Sequence, residues 1–128
     1  ILSVGGTSDP LKAEKSKADL SRDFQKTTAL IDSSGHCLFI AFAILDIPSG
    51  FEGMVEEINA VLGTEMTGGE MVELGAEILR RERAFNEKAG FTKADDRLPE
   101  FMHHEPLPPH NVVVELSDDV YDSVFGEL

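Results

Sequence analysis

Three residues that can do chemistry lie within six positions of one another: Asp32, Gly35 and Cys37. Cys37 is the only cysteine of the chain. The Asp32 carboxylate can accept two parallel N–H hydrogen bonds, and Gly35 permits a left-handed turn. A purely structural interpretation is also open: a helix that ends near Gly35, followed by a buried free thiol and a core helix.

The longest apolar segment of the chain, Leu38 to Leu45, follows the cysteine directly. It is too short to span a bilayer, which takes about 20 residues. The segment therefore predicts a buried helix that begins at or near Cys37. This helix should end before Pro48, because proline cannot continue it. Since the segment is apolar on every side, we expect it to be central in the domain.

The pattern Asp-x-x-Gly-x-Cys followed by an apolar helix resembles the last cofactor motif of the aldehyde ferredoxin oxidoreductases, which are tungsten- or molybdenum-pterin enzymes. Four later segments resemble the C-terminal signature of that family in the same order: Arg83-Ala84-Phe85-Asn86, Gly90-Phe91-Thr92, Asp95-Asp96-Arg97-Leu98-Pro99 and Glu105-Pro106-Leu107. The match runs from about Asp32 to Leu107. One such motif would be weak evidence, whereas several in order are fairly specific.

The resemblance implies a parent enzyme that oxidises aldehydes to carboxylic acids at a metal–pterin centre. Electrons would then pass through a 4Fe-4S cluster to ferredoxin. Cys37 would be one cluster ligand, and a C-x-x-C-x-x-x-C motif in the missing N-terminal and middle parts of the same chain would supply the other three. Asp32 would contact the pterin and Gly35 would shape the turn. We expect the fragment alone to bind no cluster, to be inactive, and to expose the apolar surface that the missing parts would cover.

His36 is a departure from the family, which commonly has leucine between that glycine and the cysteine. Backbone contacts at this position would survive the change, but a packing contact would not. The imidazole is a candidate donor of a hydrogen bond to a cluster sulfur, an interaction that tunes cluster potential. His36 therefore counts with Asp32, Gly35 and Cys37 as a predicted cofactor-binding residue.

Other candidate residues are weaker. His103, His104 and Glu105 are possible metal ligands, but adjacent histidines in a loop usually diverge. Four polar residues of the signature are expected to brace the loop after the fourth helix rather than to catalyse: Arg83, Asn86, Asp95 and Asp96.

Composition limits the function classes. The length of 128 residues suits one domain, and we expect all of it to be a C-terminal helical domain of a longer chain. A net charge of −13 argues against nucleic acid and anionic membranes as partners. One cysteine cannot form an internal disulfide, which favours a reducing compartment. Without a recognisable signal peptide or transmembrane segment, a cytoplasmic location is expected.

Hydrophobic periodicity predicts the helices that position these residues. The first follows Asp9-Pro10 and ends between Ser33 and Gly35. The third opens with a Ser49-x-x-Glu52 capping box and ends at Gly63. The fourth opens with a Thr67-x-x-Glu70 capping box and closes at Gly90. Their expected inward residues are Leu20, Phe24, Thr27 and Ile31 in the first, Phe51, Met54, Val55, Ile58, Val61 and Leu62 in the third, and Met71, Leu74, Ile78 and Phe85 in the fourth.

The segment from Phe91 to Pro109 contains several prolines and no periodicity, so we expect an ordered loop with at most one helical turn, around Ala94 to Leu98. Val112 to Val114 resembles a strand but has no visible partner. A last helix follows Ser117. The prediction is an all-α domain, an irregular bundle of about five helices with a long Pro-containing loop.

A second interpretation of the chain is a free-standing acidic helical module that binds other proteins and holds no cofactor. The coding sequence upstream of Ile1 separates the two interpretations. A C-x-x-C-x-x-x-C motif in the same reading frame supports the enzyme, and a nearby start codon supports the module.

Overall fold

The structure is a computed structural model that describes residues 9, 11–12, 15–126 and 128. Pro10, predicted at the start of the first helix, lies outside the described residues. Within them the chain forms six α-helices and no strand, so the all-α prediction is confirmed. The helices are α1 (Lys15–Ser33), α2 (Ala41–Asp46), α3 (Pro48–Leu62), α4 (Gly68–Lys88), α5 (Phe101–His104) and α6 (Asp118–Gly126).

The framework of the fold is the long pair α1 and α4. The two helices pack along each other, α6 packs on α1, and α2 packs on α3. The two helices approach closely at Gly75, because a Cβ built there would overlap the backbone carbonyl oxygen of Lys26. None of the described helices is both long and apolar enough to cross a membrane.

One buried cluster lies where α1, α2, α3 and α4 meet. Its members are Leu30, Ile31, Ile44, Phe51, Met54, Val55 and Met71. Two of these residues, Leu30 and Ile31, belong to the last turn of α1. The core therefore fixes the end of the helix from which the Asp32–Cys37 segment emerges.

Most of the helix ends predicted from capping boxes and glycines agree with the structure. Thr67 and Glu70 form the predicted capping box, with the Thr67 N–H 2.8 Å from Glu70 Oε2. Gly63 ends α3 at φ +67°, and Gly90 follows α4 at φ +99°. The Ser49 capping box was wrong. Ile47, two residues before Ser49, is the N-cap, and helix α3 begins at Pro48, because proline fits the first helical position.

The Leu38–Leu45 prediction needs correction. Instead of one central helix, the chain forms a 3-10 turn, Leu38–Ile40, followed by the short α2. Ile44 is buried at 2% exposure, but Phe39 is 80% and Phe42 71% exposed. A run that is apolar on all sides does not reveal which side has a partner. The companion prediction, that this chain leaves apolar surface here uncovered, is confirmed.

Several residues predicted to point inward are also exposed: Phe24, Val61, Leu62, Leu74 and Phe85. Periodicity identifies an apolar stripe on a helix, but it does not indicate how far along the stripe a neighbouring helix reaches.

The Pro-containing loop holds more helix than predicted. A 3-10 turn, Lys93–Asp95, lies in the expected place, but the one-turn helix α5 was not anticipated. Val112 makes only an isolated bridge with Leu107, so the short valine run forms no strand.

Candidate functional site

Asp32 lies in the last turn of α1, and its side chain is exposed. Among the described residues its carboxylate has no hydrogen-bond or ion-pair partner. A negative charge at a helix C-terminus faces the negative end of the helix dipole, so it does not stabilise the helix. The position of this carboxylate therefore has no explanation in the stability of α1.

Gly35 makes the turn that ends α1, as predicted. Its φ is +80°, in the left-handed region, and its N–H donates to the Asp32 carbonyl at 3.3 Å. A Cβ built at Gly35 would meet nothing within 4 Å. Glycine is thus required for the backbone conformation rather than for space.

Cys37 follows the turn with an exposed thiol. Its backbone is extended, at φ −66° and ψ 133°, and its carbonyl accepts the Ile40 N–H at 2.9 Å to open the 3-10 turn. The buried free thiol of the structural interpretation is therefore wrong. The part of the chain that the structure describes contains no group of three or more His, Cys, Asp or Glu side chains placed to hold a metal ion.

His36 is engaged at both ring nitrogens. Nδ1 lies 2.7 Å from Ser34 Oγ, and Nε2 lies 3.2 Å from Glu57 Oε2 on α3. Ser34 Oγ also donates to the Ile31 carbonyl at 2.7 Å. In this conformation neither ring nitrogen is left over for a cluster sulfur. That role for His36 stays a prediction.

The histidines of the Pro-containing loop have separate partners. His103 Nδ1 lies 2.8 Å from the Val114 carbonyl, and its ring meets the edge of Tyr121. His104 lies 3.6 Å from Glu100, and both side chains are exposed.

The predicted bracing role of the signature residues is confirmed for Arg83 and Asp96. Arg83 Nη1 and Nη2 donate to the two carboxylate oxygens of Asp96, each at 2.6 Å. The paired carboxylate raises the pKa of Arg83 above its ordinary value. Asp95 closes a capping box on the Lys93–Asp95 turn with Thr92.

Sequence reasoning missed a second ionic cluster on α6. Arg97 Nη2 lies 2.8 Å from Asp122 Oδ1, and Arg97 Nε lies 3.2 Å from Asp118. The hydrogen bond from Arg97 is the main cause of a lowered pKa at Asp122. Arg97 stood in the signature, but nothing in the sequence pairs it with residues more than 20 positions later.

Among the clefts on the described surface, two lie beside the residues discussed above. One, of about 310 Å³, lies around Arg83, where the cations Arg80, Arg83 and Lys93 all have carboxylate partners. It therefore offers no free positive charge to an anionic ligand. The other, of about 420 Å³, lies between α1 and α4 and includes Asp32 in its lining.

Comparison with known proteins gives a consistent picture. The family model described as aldehyde ferredoxin oxidoreductase, domains 2 & 3, matches residues 3–125. The tungsten-containing aldehyde ferredoxin oxidoreductase of Pyrococcus furiosus is 39% identical over 101 residues, and that of Thermococcus kodakarensis is 35% identical over 101. Each match covers 78% of this chain but 16% of the relative, so the chain spans about a sixth of their length.

No solved structure matches the chain. The family model nevertheless covers almost all of it, including the Asp32–Cys37 turn and the Arg83–Asp96 brace. The chain belongs to the aldehyde ferredoxin oxidoreductase family.

Proposed function

We propose that this chain is the C-terminal helical domain of a tungsten- or molybdenum-pterin, iron–sulfur aldehyde:ferredoxin oxidoreductase. The observation that carries the proposal is the Asp32–Cys37 turn. Within six residues it presents a carboxylate with no partner among the described residues, a left-handed glycine and an exposed thiol, in a chain that belongs to this family.

In this proposal Cys37 is one ligand of a 4Fe-4S cluster. Its thiol is exposed at the start of the 3-10 turn, where groups from another part of the parent chain can reach it. Because four thiolates are needed and this chain holds one cysteine, the other three come from the remainder of the parent. The 128-residue chain alone is expected to hold no cluster.

Asp32 is proposed to anchor the pterin. A carboxylate can accept two parallel N–H bonds from an aminopyrimidine edge. The Asp32 carboxylate is exposed, has no partner among the described residues, and lines a cleft between α1 and α4. Gly35 turns the chain between this anchor and the cluster ligand.

The cofactors would carry the redox chemistry. When bound, the metal–pterin supplies the two-electron oxidation of an aldehyde to a carboxylic acid, and the cluster supplies single-electron transfer to ferredoxin. The contribution of this chain is to hold a thiolate and a carboxylate in fixed positions on a helical framework. A reducing, cytoplasmic compartment suits a free exposed thiol.

The exposed apolar face beside Cys37 supports a larger parent protein. Leu38, Phe39, Phe42 and Ile47 are all exposed in this chain, and monomers rarely leave such surface bare. We assign this face to contact with the part of the parent that carries the other cluster cysteines. The same face is also the feature that favours the second candidate, an acidic interaction module without cofactor.

The test is to express the full-length gene product and purify it without oxygen. We expect about four irons and one tungsten or molybdenum per chain, and reduction of ferredoxin that depends on added aldehyde. A full-length product with neither metal would contradict the enzyme and leave the interaction module. If the metals are present but no aldehyde reduces ferredoxin, the cofactor roles stand and the proposed reaction fails.

A further inference from the structure

We propose that His36 is a positioning residue that fixes the direction of Cys37 by tying the turn to two helices. Its imidazole connects the end of α1, through Ser34, to α3, through Glu57. The inference rests on the proposed role of Cys37 as a cluster ligand. It is an alternative to the expectation that His36 donates to a cluster sulfur, and the experiment below distinguishes the two.

The backbone between Gly35 and Ile40 has few bonds of its own. Gly35 N–H donates to Asp32, and the next N–H that donates outside the helices is that of Ile40, to Cys37. Within the described part of the chain, the backbone N–H groups of His36 and Cys37 make no hydrogen bond. The segment that carries the thiol is therefore held chiefly by its side chains.

The His36 side chain closes a continuous chain of hydrogen bonds. The carbonyl of Ile31 accepts from Ser34 Oγ at 2.7 Å, and Ser34 Oγ lies within hydrogen-bond distance of His36 Nδ1, at 2.7 Å. The side chain of Ile31 is fully buried in the core, so this end of the chain is rigid. The other end, His36 Nε2 to Glu57 Oε2 at 3.2 Å, reaches a different helix.

The pair with Glu57 acts on local geometry more than on global stability. The Glu57 side chain is 66% exposed, and exposed ion pairs contribute little to the stability of a fold. A weak contact can still decide which way an otherwise untied segment points. Loss of the His36–Glu57 contact should therefore change the conformation of the turn, and it should leave the unfolding midpoint of the domain unchanged.

Two roles for His36, direct contact with the cluster and bracing of the turn, predict different results when Glu57 is replaced. If His36 acts on a cluster sulfur, removing Glu57 from the far side of the ring changes little. If His36 is a brace, then Glu57→Ala reproduces His36→Leu, because either change opens the same connection. Glu57→Gln, which keeps an acceptor oxygen, should retain most of the wild-type behaviour.

The experiment uses the full-length, anaerobically purified protein. Hydrogen exchange is followed at the Gly35 and Ile40 amides, and the cluster is followed by its electron paramagnetic resonance spectrum and midpoint potential. His36→Leu and Glu57→Ala should each raise exchange about two- to tenfold, the effect of losing one or two hydrogen bonds, and should alter the spectrum and potential together.

Two matched controls separate the brace from general effects. Glu56→Ala removes the neighbouring exposed acid of α3, which has no partner among the described residues. His104→Leu removes an exposed His–Glu pair far along the chain. Both controls should leave exchange and spectrum unchanged.

Three results would overturn the inference. Unchanged exchange in His36→Leu would mean that the imidazole holds nothing. Faster exchange with an unchanged cluster spectrum would mean that the brace does not reach Cys37. A shifted potential in His36→Leu with normal exchange and a silent Glu57→Ala would assign His36 to direct contact with the cluster. A wild-type protein without cluster would instead reject the proposed function, and the exchange data would still report on the brace.

Discussion

Arg83 and Asp96 form a two-pronged ion pair in which each terminal guanidinium nitrogen lies 2.6 Å from a separate carboxylate oxygen. Both side chains are about three-quarters buried. The same guanidinium lies 4.3 Å from the centre of the Phe125 ring. One side chain of α4 thus holds the segment just after the Lys93–Asp95 turn and the end of α6 together.

Arg83→Ala should lower the free energy of unfolding of this domain by about 1.5–3 kcal/mol, because it leaves a largely buried carboxylate without its charged donor. Arg83→Lys should recover only part of the loss, since an ammonium cannot bridge both oxygens. Arg81→Ala is the control. It breaks an exposed pair with Glu77 on the same helix and should cost less than about 1 kcal/mol. Equal losses for Arg81 and Arg83 in denaturant unfolding would refute the bracing role.

Stability should fall in acid partly through Asp122. The Arg97 hydrogen bond holds its folded-state pKa below the ordinary value of 3.8. A lowered pKa contributes stability that is present above pH 3.8 and is lost as the pH falls through the folded value. Asp122→Asn should therefore reduce stability at neutral pH and flatten its decline below pH 3.8.

Asp119→Asn is the matched control for Asp122, because Asp119 is exposed on the same helix and has no ion-pair partner in the described structure. Asp119→Asn should flatten the acid unfolding profile less than Asp122→Asn does. The assignment fails if Asp119→Asn and Asp122→Asn flatten the profile to the same extent.

Replacing two helical glycines by alanine should change the stability of the domain in opposite directions. At Gly75 the added Cβ would overlap the Lys26 carbonyl, so α1 and α4 must separate, at a cost of about 1–3 kcal/mol. At Gly53 the Cβ would meet nothing within 4 Å, and higher helix propensity should stabilise α3 by up to about 1 kcal/mol. Thermal unfolding of both variants tests the pair. A stabilising Gly75→Ala would mean that α1 and α4 are not in close contact there.

The face formed by Phe39 and Phe42 should drive self-association when the 128-residue chain is prepared alone. The two rings stack, with centroids 6.4 Å apart, and both are exposed. Replacing both with glutamine should shift sedimentation toward the monomer. Phe85→Gln, equally exposed on α4, should have less effect. If Phe85→Gln alone converts the oligomer to monomer, the surface that drives self-association is not the one formed by Phe39 and Phe42.

Features encoded by neighbouring residues could be predicted from the sequence. The capping box of Thr67 and Glu70 and the left-handed turns at Gly35 and Gly63 depend on residues at most a few positions apart. The order of the helices followed from the same local signals. For this reason the position of the Asp32–Cys37 turn after α1 was correct.

Features that depend on distant residues could not be predicted. His36 meets Glu57 across 21 positions, and Arg97 meets Asp122 across 25. Periodicity also gave no indication that Phe39 would be exposed, because exposure depends on whether another element covers the residue. Hydrophobicity alone fits a central helix and an uncovered interface equally well.

The most direct test of the proposed site compares Cys37→Ser with Asp32→Ala in the full-length, anaerobically purified protein. Cys37→Ser replaces a thiolate with a hydroxyl, so iron should fall below four per chain and electron transfer to ferredoxin should fall with it. Asp32→Ala keeps every thiolate but removes a charge-assisted acceptor worth about 1.5–3 kcal/mol. Its retention of tungsten or molybdenum should drop about ten- to a hundredfold while the iron content stays near four.

Metal analysis of both variants decides between a cofactor site and a surface turn. The proposed function predicts loss of iron in Cys37→Ser and loss of tungsten or molybdenum in Asp32→Ala. If Cys37→Ser retains four irons and full activity, the thiol is not a cluster ligand and the assignment of this turn is wrong.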